Sequence, residues 1–217
     1  MKFLKRLTIY IGGLLLLAIG INISKAAGLG ISPVSAVPYA LEVIWGIELG
    51  LATIFFQVVL VFLQVLLLRK KFKPVQFLQI PCVYLLSFFI TYTSSHYLLS
   101  WLPEPPSYGI RLLYLMISIV IIGIGVSLYL LPNFVPLPAE GLMKAIVTVS
   151  QDRFKFSHVK TVVDSSFVLI SAILSLVFLG SLITVREGTV LAAILVGEVV
   201  GFVYKHYRKQ LSAWLGE

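Results

Sequence analysis

Charge is scarce in this chain. Only 12% of its 217 residues are charged, 59% are hydrophobic, and mean hydropathy is +1.02. A soluble domain needs far more charge to wet its surface, so a soluble fold is excluded and an integral membrane protein is expected. Cysteine is scarcer still. Cys82 stands alone, which excludes a disulfide framework and leaves the redox compartment open. Acids are outnumbered 9 to 17 by Lys and Arg, a net charge of +8. That balance raises nucleic acid as a partner, but the bases sit in short segments between apolar runs, so no nucleic-acid partner is expected. A glycine-rich nucleotide loop, a Ser/His/Asp set and zinc-ligand spacing are all missing. His96 has no Cys, His or acidic neighbour in the sequence. These gaps leave no cofactor, no metal and no enzymatic activity to expect.

What the chain does have is apolar length. A helix needs about 20 apolar residues to cross roughly 30 Å of hydrocarbon. Six stretches qualify, near 7–25, 49–68, 75–100, 109–131, 159–180 and 186–205. The first follows a basic start, as a signal peptide would. It lacks a small-residue cleavage site followed by a soluble domain, and reads as a retained first helix. With the N-terminus inside, the cytoplasmic segments hold Lys2, Lys5, Arg6, Arg69, Lys70, Lys71, Lys73, Lys144, Arg153, Lys155, Lys160, Lys205, Arg208 and Lys209. Only Lys25, Arg111 and Arg186 remain outside. The positive-inside rule therefore places both termini in the cytoplasm of a multi-pass protein of the cytoplasmic membrane.

The sequence also resembles itself. A shift of 105 lays "AIGI" (18–21) on "GIGV" (123–126), Pro33 on Pro138, and Ala40-Leu41 on Ala145-Ile146. Ser35 lands on Glu140. A two-residue insertion then changes the shift to 107, which sets Gln57 on Asp164, Gln79 on Arg186 and Thr91 on Glu198. Prolines and polar residues inside apolar spans carry more weight here than Leu/Val matches. Two repeats follow, 1–105 and 106–217. Each has three spans, so the second enters from the opposite side. The expected fold is all-α, with six transmembrane helices in two inverted three-helix repeats, an architecture common among transporters.

Each repeat also carries a helix too short to span, 33–46 and 138–149, opened by a proline after a Pro/Gly-rich coil. Ser32 suits an N-cap before Pro33, and Leu137 holds that place in the second copy. Two arrangements fit. As re-entrant segments, both would start near the midplane, each helix N-terminus carrying roughly half a positive charge. Irregular backbone is tolerated there only under cover of protein or water. As interfacial helices, "VPYALEVIWGIEL" with Glu42, Glu48 and Trp45 would suit a headgroup layer.

The segments "GLGISPVSAVPYAL", "FLQIP" (77–81), "LPAEGLMKAI", "VKTVVD" (159–164) and "VREGTVLAAILVGEVVGF" (185–202) resemble the YczE/YyaS/YitT group of bacterial membrane proteins. The resemblance runs from about residue 10 to 204. It implies a small multi-span protein, some relatives being classed as small-molecule exporters, and supplies no substrate. Relatives often carry an acid two positions after the half-helix proline. Glu140 matches that pattern and Ser35 departs from it. They also often carry an acid near Thr91, so the first repeat here is depleted of charge.

Candidate site residues follow. Ser32, Pro33, Ser35, Pro138 and Glu140 belong to the half-helix starts, and the dipole gives Glu140 a structural reason to be there as well. Gln57 and Gln79 lie inside spans, where hydrogen bonding between helices is a sufficient alternative. Arg186, beside Thr189, suits either an anionic substrate group or an interfacial anchor; the adjacent Glu187 is not expected to face it. Glu198 and Asp164 are candidate proton-coupling acids, though Asp164 also sits one turn from Lys160 and suits a structural ion pair. Gly197 and Gly201 form a generic small-residue packing face. The expected function is secondary transport of a small anionic or amphiphilic solute at a midplane site, with export one direction the family resemblance implies and import equally open on the residues. Proton coupling is one way to drive it. A solute-binding subunit of a larger transporter and a passive channel are the alternatives. Expected partners are the lipid bilayer, the solute and, as an open option, a second copy.

Overall fold

The structure is a computed structural model describing residues 2–94, 97–151 and 153–215, with side chains from 3 to 207 over the same stretches. His96 lies outside the described residues.

The described residues form α-helices and short 3-10 turns, with no strand among them. The helices are α1 (Lys2–Ala27), α2 (Pro33–Trp45), α3 (Leu49–Leu68), α4 (Gln79–Tyr92), α5 (Tyr108–Leu130), α6 (Pro138–Val149), α7 (Phe156–Leu179) and α8 (Glu187–Leu215). Six of them are long and apolar enough to cross a membrane: α1, α3, α4 with its preceding turn, α5, α7 and α8. α2 and α6, at 13 and 12 residues, are the two short ones. Pro138 occupies the first helical position of α6 after an extended Leu137, where a missing N–H costs nothing. α2 likewise begins at Pro33, directly after Ser32. The expected third span, 75–100, is shorter as a helix because the chain turns at Thr93 and Ser94.

The chain divides into two compact units, and neither coincides with a sequence repeat. The first unit comprises Met1–Ser32, Phe88–Phe134 and Arg186–Glu217; the second comprises Pro33–Ser87 and Val135–Val185. Each draws on both halves of the sequence.

The first unit is built on α1 against α5, with α8 against α5. The helices cross at glycines. A Cβ on Gly13 would lie 2.5 Å from the Tyr129 backbone nitrogen, and one on Gly125 would lie 2.6 Å from that of Leu17. Backbones this close leave room for hydrogen alone, which maximises dispersion where lipid supplies no hydrophobic drive. Asn22 adds a polar tie, donating to the Ile90 carbonyl at 2.7 Å and to Thr93 at 2.9 Å.

In the second unit α2 packs on α7 and α3, while α6 packs on α3 and α7. Val34 and Val37 of α2 share one apolar cluster with Ala139, Leu142 and Met143 of α6, Leu60 of α3, and Val163 and Phe167 of α7. The Phe56 and Phe167 rings meet edge to face at 5.1 Å within it.

Burial repeats with the sequence offset. Each buried residue of α5, from Leu115 to Tyr129, lies 105 positions after a buried residue of α1. In α7, Val159, Asp164, Phe167, Ser171 and Ser175 are buried 107 positions after buried Ala52, Gln57, Leu60, Gln64 and Leu68.

Candidate functional site

The first turns of α2 and α6 are held by hydrogen bonds from spanning helices. Gln64 sits on the buried face of α3 and has no exposed surface, a position reserved in apolar helices for polar groups with full partners. Its Nε2 donates to the Pro138 carbonyl of α6 at 3.1 Å. It also exchanges two bonds of 3.0 Å with Gln79, the first residue of α4. Gly141 makes room for this amide pair, since a Cβ there would lie 2.6 Å from Gln64 Oε1 and 2.8 Å from Gln79 Oε1.

Ser171 of α7 does the same for α2. Its hydroxyl donates to the Ala36 carbonyl at 2.9 Å and lies 3.0 Å from the Thr184 hydroxyl. Ser171 is Gln64 shifted by 107, Thr184 is Gln79 shifted by 105, and Ala36 answers to Gly141. Two amides need a glycine opposite them, whereas two smaller hydroxyls leave space for an alanine methyl.

This corrects the register expected for the last helices. A constant shift of 107 pairs Gln79 with Arg186 and Thr91 with Glu198. Arg186 is exposed while Gln79 is wholly buried, so those faces do not correspond. At 105, Gln79, Val83 and Ser87 meet Thr184, Gly188 and Ala192, all buried. The two-residue insertion after the half-helix is thus cancelled by a shorter turn between α7 and α8.

Seven candidate residues lie in the second unit. Pro33, Ser35 and Pro138 are buried at the half-helix starts, with Glu140 half-buried in the first turn of α6. Gln79 is committed to Gln64. Gln57 and Asp164, 3% and 7% exposed, lie on the same helix faces as Gln64 and Ser171, each seven residues earlier. Asp164 Oδ2 accepts a bond from Lys160, so the expected ion pair is present. Asp164 Oδ1 and Gln57 Oε1 are occluded and have no hydrogen-bond partner among the described residues.

Ser32, Arg186, Thr189 and Glu198 lie in the first unit. Arg186 precedes α8 rather than lying within it, so its side chain can reach its neighbour. It pairs with Glu187 at 3.2 Å, contrary to the expectation for adjacent helical residues. Arg186 Nη1 also donates to the Gly28 carbonyl at 3.1 Å. Gly188 N donates to the Leu29 carbonyl at 2.8 Å, so the start of α8 serves as a dock for the 28–30 turn. Gly30, at φ +98°, lies so near Thr189 that a Cβ would sit 2.4 Å from its hydroxyl. Glu198 is exposed, and among the described residues it has neither a hydrogen bond nor an ion pair. Gly197 and Gly201 have nothing within 4 Å of an added Cβ, so the small-residue face expected to pack is bare within this chain.

Gln64, Ser171, Thr184 and Gly141 were not among the residues expected at the site. A shift of 107 already lays Gln64 on Ser171, but serines in apolar helices commonly bond their own backbone, and this pairing carries no charge to flag it. Among the described residues no group of three His, Cys, Asp or Glu side chains is placed to hold a metal. Among the described residues the chemistry on offer is hydrogen bonding, helix dipoles and one buried carboxylate.

Comparison with known proteins accords with the resemblance in the motifs. The chain is 29% identical over 190 residues to the uncharacterized protein YyaS of Bacillus subtilis strain 168, covering 82% of this chain and 86% of the relative. No solved structure matches it. A family profile described as a family of unknown function, DUF6198, matches residues 4–205. This multi-pass membrane protein therefore belongs to the DUF6198 family.

Proposed function

We propose that this protein is a secondary transporter for a small polar solute, anionic or amphiphilic, with its site in the second unit between the first turns of α2 and α6. One observation carries the reading. Both short helices begin against buried polar residues inside the apolar spans, Ala36 at Ser171 well within α7 and Pro138 at Gln64 one turn before the end of α3, and their first turns join one buried cluster. A helix lying flat in a headgroup layer would begin near the ends of the spans. The re-entrant arrangement is therefore favoured, with both positive helix ends aimed inward.

The matched burial and the exchanged packing, α2 on α7 and α6 on α3, support two inverted repeats. Basic residues between the spans favour cytoplasmic termini. Asp164 is the preferred proton-coupling residue, because it is buried on the site-facing side of α7. Glu198 is the second choice, since it sits on an exposed face within the apolar length of α8.

The test is flux in sealed liposomes carrying the purified protein, with a mixed metabolite and drug panel and an internal pH dye. We expect a solute-dependent pH change in wild type that Asp164→Asn abolishes and Glu198→Gln retains. Loss in Glu198→Gln alone moves the coupling site to α8. Tight binding without flux of any solute replaces the transporter with a solute-binding subunit.

A further inference from the structure

We infer that the solute meets the second unit through a hydrogen-bond-donating cation, a protonated amine, held by Gln57 and Asp164; this rests on the site location proposed above and goes on to name the chemistry. Two occluded atoms there that have no hydrogen-bond partner among the described residues, Gln57 Oε1 and Asp164 Oδ1, are acceptors. They occupy equivalent places, 107 residues apart on the buried faces of α3 and α7. Phe56 and Leu60 flank Gln57, and Val163 and Phe167 flank Asp164; all four pack with the first turns of α2 and α6. Both acceptors therefore border the apolar cluster on which the half-helices converge.

A buried acceptor with no partner is costly, and two at matched positions are unfavourable unless something fills them. Asp164 already takes one donor on Oδ2 from Lys160, which leaves Oδ1 for a second. An anion cannot satisfy either oxygen. An ammonium brings three N–H donors, one for each oxygen. The positive helix starts then suit an acidic or strongly dipolar group elsewhere on the same solute, which makes it zwitterionic or amphiphilic.

The experiment is thermal unfolding of the full-length protein in detergent micelles, with methylammonium and acetate as matched small probes of opposite charge. Gln57→Met keeps the volume and removes the acceptor. Without probe, its apparent midpoint is expected to rise by about 2–4 °C, because an unfilled acceptor is gone. Methylammonium is expected to raise the wild-type midpoint and leave Gln57→Met unmoved, and acetate to leave both unmoved. A lower midpoint in Gln57→Met overturns the inference, as does a wild-type response to acetate alone or to neither probe. The two readings fail separately. Amine stabilisation without flux of any solute removes transport and keeps the amine site, whereas flux confined to acids removes the amine site and keeps transport.

Discussion

At the scale of single residues, the two clamps on the half-helices are one device made in two sizes. In the larger version Gly141 is required, because its missing Cβ is the space that the Gln64 and Gln79 amides fill. Gly141→Ala is expected to destabilise by about 1–3 kcal/mol through overpacking, read as a lower unfolding midpoint in detergent. The structure also specifies the cure. Adding Gln64→Ser and Gln79→Thr copies the Ser171/Thr184 pair that already tolerates Ala36, and should recover most of the loss. A triple variant no better than the single one would show that the clamps are not equivalent. Gln64 could be noticed in the sequence as a polar residue in an apolar run, but its partners lie 15 and 74 positions away, beyond any helical periodicity.

At the scale of helices, glycines separate into those that touch and those that do not. Gly13 and Gly125 bring α1 and α5 into backbone contact, so Gly13→Ala must push the helices apart. We expect a loss of about 1–3 kcal/mol. Gly197→Ala meets nothing within this chain and gains helix propensity of roughly 0.5–1 kcal/mol. Comparing the two variants by unfolding midpoint and by chemical crosslinking in membranes checks both statements. If Gly197→Ala is destabilising and loses a crosslinked dimer, a second copy covers that face of α8. These three glycines look alike in the sequence, since a small-residue spacing does not say which faces meet.

At the scale of the whole molecule, topology is the first thing to measure. Cys82 is the single cysteine, so a Cys82→Ala background allows clean labelling. With membrane-impermeant maleimide on intact cells, Ser107→Cys is expected to label, and Lys71→Cys only after lysis. Labelling of both from outside contradicts cytoplasmic termini and the alternation of spans. The division into two units has a consequence for mutants as well: each unit takes pieces of both repeats, so neither half of the sequence is expected to fold as a separate part.

Composition and periodicity by themselves determined the apolar spans and the two short helices with their prolines. These are local properties: how many apolar residues run together, and where a missing N–H is harmless. Tertiary structure decided the rest. It paired Gln64 with Gln79 and Pro138, returned the last helices to the shorter offset, spent Arg186 on a backbone carbonyl, and left Glu198 exposed. Each of those outcomes depends on which faces meet across the fold, and an offset between two stretches of sequence carries no record of rotation about a helix axis.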